Sequence, residues 1–312
     1  MYQRILKITV GIFLFFHTSF HAAAWSMQGH MVIASISWQA LNENSRARLS
    51  IILAEHPNRK TWEQWYQKYG DGINEQAFYL MCASKWPDDI KSNSFPYEGP
   101  KNGFWHYTNG RVDFEDQHDA CYRPAKGKDI FNGLEHAQNH MKKSELAEKA
   151  IAICWMSHLL QDLHQPLHAA SLYSGPYKNN SSGDKGGNDF FIKTKAENKT
   201  AYRLHSYWDQ LLGRSQNQKK AWQKGLSIYS KFKGQKVNTE YLPGQWQKES
   251  FQLAKEEVYL SGKLKPAASK EKATVLPKDY SKNAKQIAEV QAYTAAMRLV
   301  QWIEQSLEPT SL

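Results

Sequence analysis

The sequence predicts an all-α, mainly helical fold with long loops and at most a short hairpin. Three observations lead there. Apolar residues recur at helical spacing in several stretches, strand signals are few, and the intervening segments are rich in Gly, Asn, Ser and Pro. Composition permits a packed core: of 312 residues, 41% are hydrophobic and 22% charged, which excludes a disordered chain, a collagen-like repeat and a multi-span membrane protein. Three cysteines without a Cys-x-x-Cys pair are too few for a disulfide scaffold and suggest neither a zinc ribbon nor a redox centre. Lys and Arg outnumber Asp and Glu by 40 to 30, a formal +10 that favours polyanionic partners such as nucleic acid or phospholipid head groups.

The first segment reads as a targeting signal. Arg4 and Lys7 precede an apolar run from Ile8 to Phe16, and Ala22, Ala23 and Ala24 follow, the order of a secretory signal peptide. The alternative is a membrane anchor, but this run falls well short of the ~20 apolar residues that span a bilayer. Cleavage after Ala24 would start the mature chain at Trp25 and remove His17 and His21. The expected organisation is therefore a signal over residues 1–24 and a single domain over 25–312, secreted or periplasmic, with no membrane span after cleavage.

Four helices carry the fold prediction. Met31 to Leu41 shows a helical stripe through Val32, Ile33, Ile36 and Ala40. The second starts at Ser144 as N-cap, with Glu145 in its first turn, and runs to Gln165 until Pro166 stops it. A third runs from about Gln245 to Leu260 and a fourth from about Asn283 to Gln305. Phe190 to Lys193 is the best strand candidate. Pro87 to Asn109 and Ser174 to Gly187 are turn-rich loops. Between Gln210 and Thr239, Arg214, Lys219, Lys220, Lys224, Lys231, Lys233 and Lys236 stand with no acid among them, either a rim for phosphate backbone or a solvated face.

The most informative residues are histidines and aspartates. His158 and Asp162 lie four apart on the second helix and share one face. An imidazole and a carboxylate presented together suit a zinc ion, and the two oxygens of Asp162 suit a bridge between ions. His168 follows Pro166 and can turn toward a neighbouring ion, whereas His164 points away from Asp162 and reads as a packing or surface residue. His205 and Asp209 repeat the four-residue spacing. Asp88 and His106 fall on predicted loops, and His30 is the sixth residue after the predicted cut, following Gly29. Each alone is more often a satisfied polar group than a ligand. Together they supply a ligand set that needs no cysteine.

The ordered set resembles the S1/P1 nucleases, zinc-dependent endonucleases of single-stranded nucleic acid. The resemblance runs through Trp25-Ser26-Met27-Gln28-Gly29-His30, Trp86-Pro87-Asp88, Trp105-His106-Tyr107, Asp162-Leu163-His164-Gln165-Pro166-Leu167-His168, Asp184-Lys185-Gly186-Gly187-Asn188, His205 to Asp209 and the last helix with Arg298-Leu299. It implies a fold like that of phospholipase C and P1 nuclease, a monomer, and three Zn2+ ions. One would be held by Asp88, His106, His158 and Asp162. A second would be held by His168, His205 and Asp209. The third would be held by His30, Asp162 and Trp25, the last through an α-amine that exists only after cleavage. The implied reaction is hydrolysis of single-stranded DNA and RNA to 5′-phosphate products, with 3′-nucleotidase activity left open, and with Asp88 and Asp162 as catalytic residues.

The resemblance also implies substrate contacts, and here the chain departs from its relatives. Lys91 stands where Arg is usual and loses the bidentate phosphate fork. Tyr107 is the natural platform for a base, and Asn109 stands where fungal members carry a base-pairing Asp. Asn188 is implied as a polar contact near the phosphate, or serves its turn. Gln161, where Gly usually precedes the bridging Asp, is expected to crowd the metals, and Arg203 replaces a common Asn. Cys82 and Cys121 flank the two site loops and form a disulfide candidate, while Cys154 reads as a buried thiol. Two alternatives stand beside the nuclease. A zinc-dependent phospholipase C typically has His-x-x-x-Glu where this chain has His205 and Asp209; a non-catalytic basic nucleic-acid-binding protein would leave the ligand set unexplained.

Overall fold

In the computed structural model, described over residues 25–91, 99, 103–116, 118–121 and 129–308, helix α1 (Met27–Ala40) is buried on nearly every side. Ser26 caps it, its hydroxyl accepting the Gly29 N–H at 3.1 Å. Residues 1–24, and with them the predicted signal, lie outside the described residues. Helices α2 (Glu43–Ala54), α3 (Arg59–Tyr69) and α4 (Glu75–Asp89) follow, α2 and α4 capped by Asn42 and Asn74. Pro87 sits inside the last turn of α4, so Asp88 belongs to a helix end and not to the loop expected from the proline. A proline there removes one ladder bond near a terminus, where the cost is small.

Beyond α4, a 3-10 turn (Gly103–His106) leads into strand β1 (Gly110–Val112), then α5 (Ile130–Met141) and α6 (Leu146–Asp162). Helix α6 is the predicted second helix, two residues shorter at its start and three at its end. Glu145 occupies the N-cap position without a side-chain cap, and Ser144 does not cap it. Pro166 does more than stop a helix: it opens α7 (Pro166–Ala169) at the position where its missing N–H is harmless. Strand β2 (Ala170–Leu172) then pairs in parallel with β1, Gly110 opposite Ala170. Strand β3 (Phe191–Lys193), the predicted one, pairs antiparallel with β4 (Tyr202–Arg203) and parallel with β5 (Thr274–Val275). These short strands staple loops onto an otherwise helical body.

The remaining helices are α8 (Leu204–Asp209), α9 (Gln218–Phe232), α10 (Pro243–Leu253), which continues through a π-helical turn at Ala254–Val258, and α11 (Tyr280–Leu307). Helix α1 packs against α4, α9 and α11, and α6 packs against α4 and α5. The larger apolar core lies among them, with Ile33, Phe78, Trp155, Leu159 and Ile303 inside it. A smaller one gathers Leu167, Phe190, Leu204, Trp208 and Tyr259 around β3 and α8. Among the described residues no helix is long and apolar enough to cross a membrane. The basic run falls largely on α9. There Lys219 pairs with Asp71 and Lys231 with Glu289, so part of its charge is neutralised locally.

The proposed Cys82–Cys121 bridge is corrected by the fold. Cys82 lies inside the core on α4 while Cys121 is exposed, and all three cysteines are free thiols. Burial pushes the Cys82 thiol up to about 12, which keeps it protonated and inert. Cys154 is buried, as expected.

His164 is a packing residue. Its Nδ1 donates to the Leu160 carbonyl at 2.7 Å and its Nε2 accepts from Arg298 at 2.7 Å. The buried Arg298 also pairs with Glu249 at 2.8 Å and donates to the Asn238 carbonyl, tying α11 to α10 and to the end of α6. Removing one partner of such a network strands the others. Glu249 stays partly solvated while His164 Nε2 is left buried and unsatisfied, so Arg298→Ala is expected to lower unfolding stability by about 1–3 kcal/mol in urea titrations, while leaving the metal content of the folded protein unchanged. A loss under about 1 kcal/mol, the range of an exposed pair, would show that the network carries no such weight.

Candidate metal centre

Six segments converge below the C-terminal end of α6. Helix α1 delivers His30, the end of α4 delivers Asp88, and the 3-10 turn delivers His106. Helix α6 delivers His158 and Asp162 one turn apart, α7 delivers His168, and α8 delivers His205 and Asp209. Their donor atoms form three groups in which all atoms lie within 4.8 Å of one another: His30, Asp88 and His158; His106, His158 and Asp162; His168, His205 and Asp209. His158 belongs to two of them, so the first two are one continuous site. His30 also approaches Asp162, with Nε2 3.4 Å from Oδ1, closer than its 3.9 Å to Asp88.

The backbone sets the ring orientations. His158 Nδ1 donates to the Ser84 carbonyl at 2.8 Å, His205 Nδ1 to Gly186 at 2.6 Å, and His168 Nδ1 to the carbonyl of His106. His30 Nδ1 meets Gln161 Oε1 at 2.7 Å. In each case the Nδ1 contact leaves Nε2 as the lone-pair nitrogen, turned toward the carboxylates. The Gly186 carbonyl can reach His205 because Lys185, Gly186 and Gly187 all take positive φ, building the tight turn that the Gly-Gly pair announced. His106 differs: its Nδ1 faces Asp162 Oδ2 at 2.9 Å and His158 Nε2 at 2.9 Å.

Burial decides the protonation states. Loss of water holds His30, His106 and His158 down at about 4 and His168 well below its ordinary value, so all four are neutral at pH 7. The same burial pushes the carboxyls of Asp162 and Asp209 up. Burial also opposes the charge of Asp88, but Lys91 and the neighbouring imidazoles outweigh it and hold this carboxyl well below the ordinary range. Inside the cluster His30 Nε2, His168 Nε2, Asp88 Oδ2 and Asp162 Oδ1 are buried without a hydrogen-bond partner among the described residues. Neutral imidazole nitrogens facing buried carboxylate oxygens, with no donor to satisfy either, form the donor set of a divalent cation of the zinc type. The residues fit the group.

The other site residues named from sequence fall around this centre. Trp25 is fully buried, its indole N–H donating to the Gln161 carbonyl at 3.0 Å, and the Ser26 amide donates to the Asp209 carbonyl at 3.0 Å. Lys91 places its ammonium 2.7 Å from Asp88 Oδ1. Tyr107 is half-buried next to His106, and Phe104, more than half exposed, stands on the same turn, an aromatic that sequence reading passed over. Asn109 takes a positive φ of 53° and contacts Ser171 Oγ at 3.3 Å. Asn188 donates its side-chain amide to the Lys185 carbonyl at 2.9 Å, the turn role, and Arg203 donates to the Asn188 carbonyl. Gln165 was also missed: it caps α7 and donates to Asp209 Oδ1 at 2.7 Å.

A mainly helical chain that gathers five histidines and three aspartates into adjoining buried groups defines a protein with a candidate multi-metal centre. The model of the S1/P1 nuclease family matches residues 25–308, and the chain belongs to that family. It is similar to two proteins of Arabidopsis thaliana. Endonuclease 5 is 25% identical over 218 residues, covering 65% of this chain and 61% of that protein. Endonuclease 4 is 26% identical over 207 residues, covering 61% of this chain and 56% of that protein. The chain thus spans less than two thirds of the length of either relative.

A pH dependence follows for histidines outside the cluster. Burial lowers His56 and His164 to about 3 from the ordinary 6.5. The unfolded chain therefore takes up these protons first, so their contribution is complete above about pH 6.5 and is lost as pH falls toward about 3. In chelator-treated protein the urea midpoint should decline steadily from about pH 7 to about pH 4. A level midpoint over that interval would contradict the neutral assignment.

Proposed function

We propose that this chain is a secreted or periplasmic zinc-dependent endonuclease that hydrolyses phosphodiester bonds of single-stranded DNA and RNA. The observation that carries this reading is the joining of two ligand groups through His158, with Asp162 Oδ1 3.4 Å from His30 Nε2, in a chain of the S1/P1 nuclease family. Three Zn2+ ions are proposed. Asp88, His106, His158 and Asp162 would hold one, and His168, His205 and Asp209 a second. His30, Asp162 and the α-amine and carbonyl of Trp25 would hold the third, after a signal over residues 1–24 is removed. Residues 25–312 then act as one catalytic domain and as a monomer.

When bound, such ions supply Lewis-acid stabilisation of phosphoryl charge and a water acidic enough to lose its proton near neutral pH. The chain's own residues do the rest. Asp88, kept charged by Lys91, accepts a hydrogen bond from the attacking water and orients it toward phosphorus. Lys91 stands close enough to attract a phosphate oxygen as a point charge. Bond formation from water oxygen to phosphorus is accompanied by cleavage of the bond to the 3′ oxygen, which leaves with a proton; the phosphate stays on the 5′ side. Tyr107 and Phe104 flank His106 and offer rings on which an unpaired base can stack at ~1–3 kcal/mol per base. A base inside a duplex is not free to do so, which gives the single-strand preference.

The test combines processing, metal and substrate. Protein exported from a full-length gene should begin at Trp25 by intact mass, carry three zinc ions, and cleave single-stranded DNA and RNA to fragments ending in 5′-phosphate. Chelation should abolish cleavage and zinc should restore it. Asp162→Asn is expected to reduce cleavage by more than about 100-fold, beyond the loss typical of a group that only supports a ligand. Release of phosphocholine from phosphatidylcholine without nucleic-acid cleavage would replace the nuclease reading by a phospholipase.

A further inference from the structure

Gln161 is the residue of the centre whose presence packing does not explain. It is fully buried beside Asp162, and sequence reading expected it only to crowd the metals. Its side chain points elsewhere: Oε1 lies 2.7 Å from Nδ1 of His30, across 131 positions of sequence. Its backbone carbonyl accepts the indole N–H of Trp25 at 3.0 Å. One residue therefore holds the start of α1 at two points, Trp25 and His30. The other half of its amide, Nε2, is buried without a hydrogen-bond partner among the described residues. An unsatisfied buried donor is destabilising, so a side chain serving packing alone would do better as an apolar group.

We infer that Gln161 is the positioning residue for His30: its Oε1 accepts the Nδ1 proton, selects the tautomer with the lone pair on Nε2, and aims that nitrogen at Asp162. The geometry around His30 agrees. The ring stacks on His158 at a centroid distance of 4.0 Å and an interplanar angle of 20°, which fixes its plane but not its rotation within that plane. Turned over, the ring would present a carbon to Asp162; as the other tautomer, it would present an N–H. Only the bond to Gln161 excludes both. His158, His168 and His205 use main-chain carbonyls for the same purpose. His30 alone among these four depends on a side chain, so its site is the one that a point substitution can loosen selectively.

This inference rests on the metal reading proposed above, and the experiment separates the two. Zinc bound per chain is measured by native mass spectrometry across a chelator series, for purified protein whose first residue is known. Gln161→Met removes the acceptor at similar volume, Gln161→Gly removes the side chain, and Gln161→Glu keeps an acceptor oxygen. Loss of the hydrogen-bond partner that orients a ligand typically weakens metal binding by about 10–100-fold. Gln161→Met and Gln161→Gly should therefore weaken one ion by about 10–100-fold and leave the others at wild-type affinity, with Gln161→Glu close to wild type. His30→Ala should release the same ion, and adding Gln161→Met to it should weaken nothing further. If one acceptor-free variant does not fold, the other carries the measurement. A wild type with no zinc dependent on His30 overturns both readings. A wild type that holds it while the acceptor-free variants hold it equally tightly overturns only the role of Gln161.

Discussion

The centre depends on one constraint: the Asp162 carboxylate is fully buried at the end of α6, with a second carboxylate, Asp88, in the same cluster. Two negative charges away from water repel each other and lose hydration, a cost of several kcal/mol per ion even after relaxation. Much of the surrounding architecture answers that cost. Helix α1 brings the His30 ring, the 3-10 turn brings His106, and His158 comes from the preceding turn of the same helix. Lys91 pairs with Asp88 at 2.7 Å. Neutral imidazoles lessen the field without cancelling it, which leaves a deficit of positive charge inside the cluster. That deficit is the physical content of the metal reading, and it is local to this cluster and not a matter of the chain's overall basic balance.

Burial alone does not separate ligand histidines from structural ones. His56, His164 and the cluster histidines are all buried and all driven toward the neutral form by loss of water. The difference lies in what their second nitrogen faces. His164 Nε2 meets the guanidinium of Arg298, a donor that satisfies it completely. His56 stacks on Trp62 at 4.2 Å, and no carboxylate contributes to its shift. His158 and His30 turn Nε2 toward oxygens that cannot donate. Two acceptors facing each other need something positive between them. A structural histidine and a ligand therefore differ by one contact, on the side of the ring away from the one that orients it.

How much was legible in the sequence follows from how local each relationship is. His158 with Asp162, and His205 with Asp209, were readable because helical geometry places residues four apart on one face. The mainly helical fold was readable for the same reason. Asp88 was misplaced on a loop because Pro87 signals a break, and the signal does not say that a helix end tolerates proline. The β1–β2 pair joins residues about sixty positions apart, and His30 meets Gln161 across 131, so neither leaves a periodic trace. Cys82 and Cys121 flank the site in sequence, but one side chain turns into the core and the other outward, and sequence proximity to a loop does not fix direction. Asn188 is spent on its own turn, the outcome that the Gly-Gly context left open.

The start of α1 shows why folding and site assembly belong to one process. Trp25 is buried against the Gln161 carbonyl, Ser26 caps α1 while its amide bonds to Asp209, and His30 lies one turn further on. A side chain added at Gly29 would approach Trp25 Cβ at 2.9 Å, so the close approach of residue 25 to α1 requires that glycine. These contacts run to the elements that carry both halves of the centre, α6 and α8. The position is demanding because backbone and side chain of residue 25 are both enclosed. In this arrangement the same few residues close the apolar core beneath α1 and bring His30 to Asp162, so the N-terminal segment cannot be packed correctly without also completing the cluster.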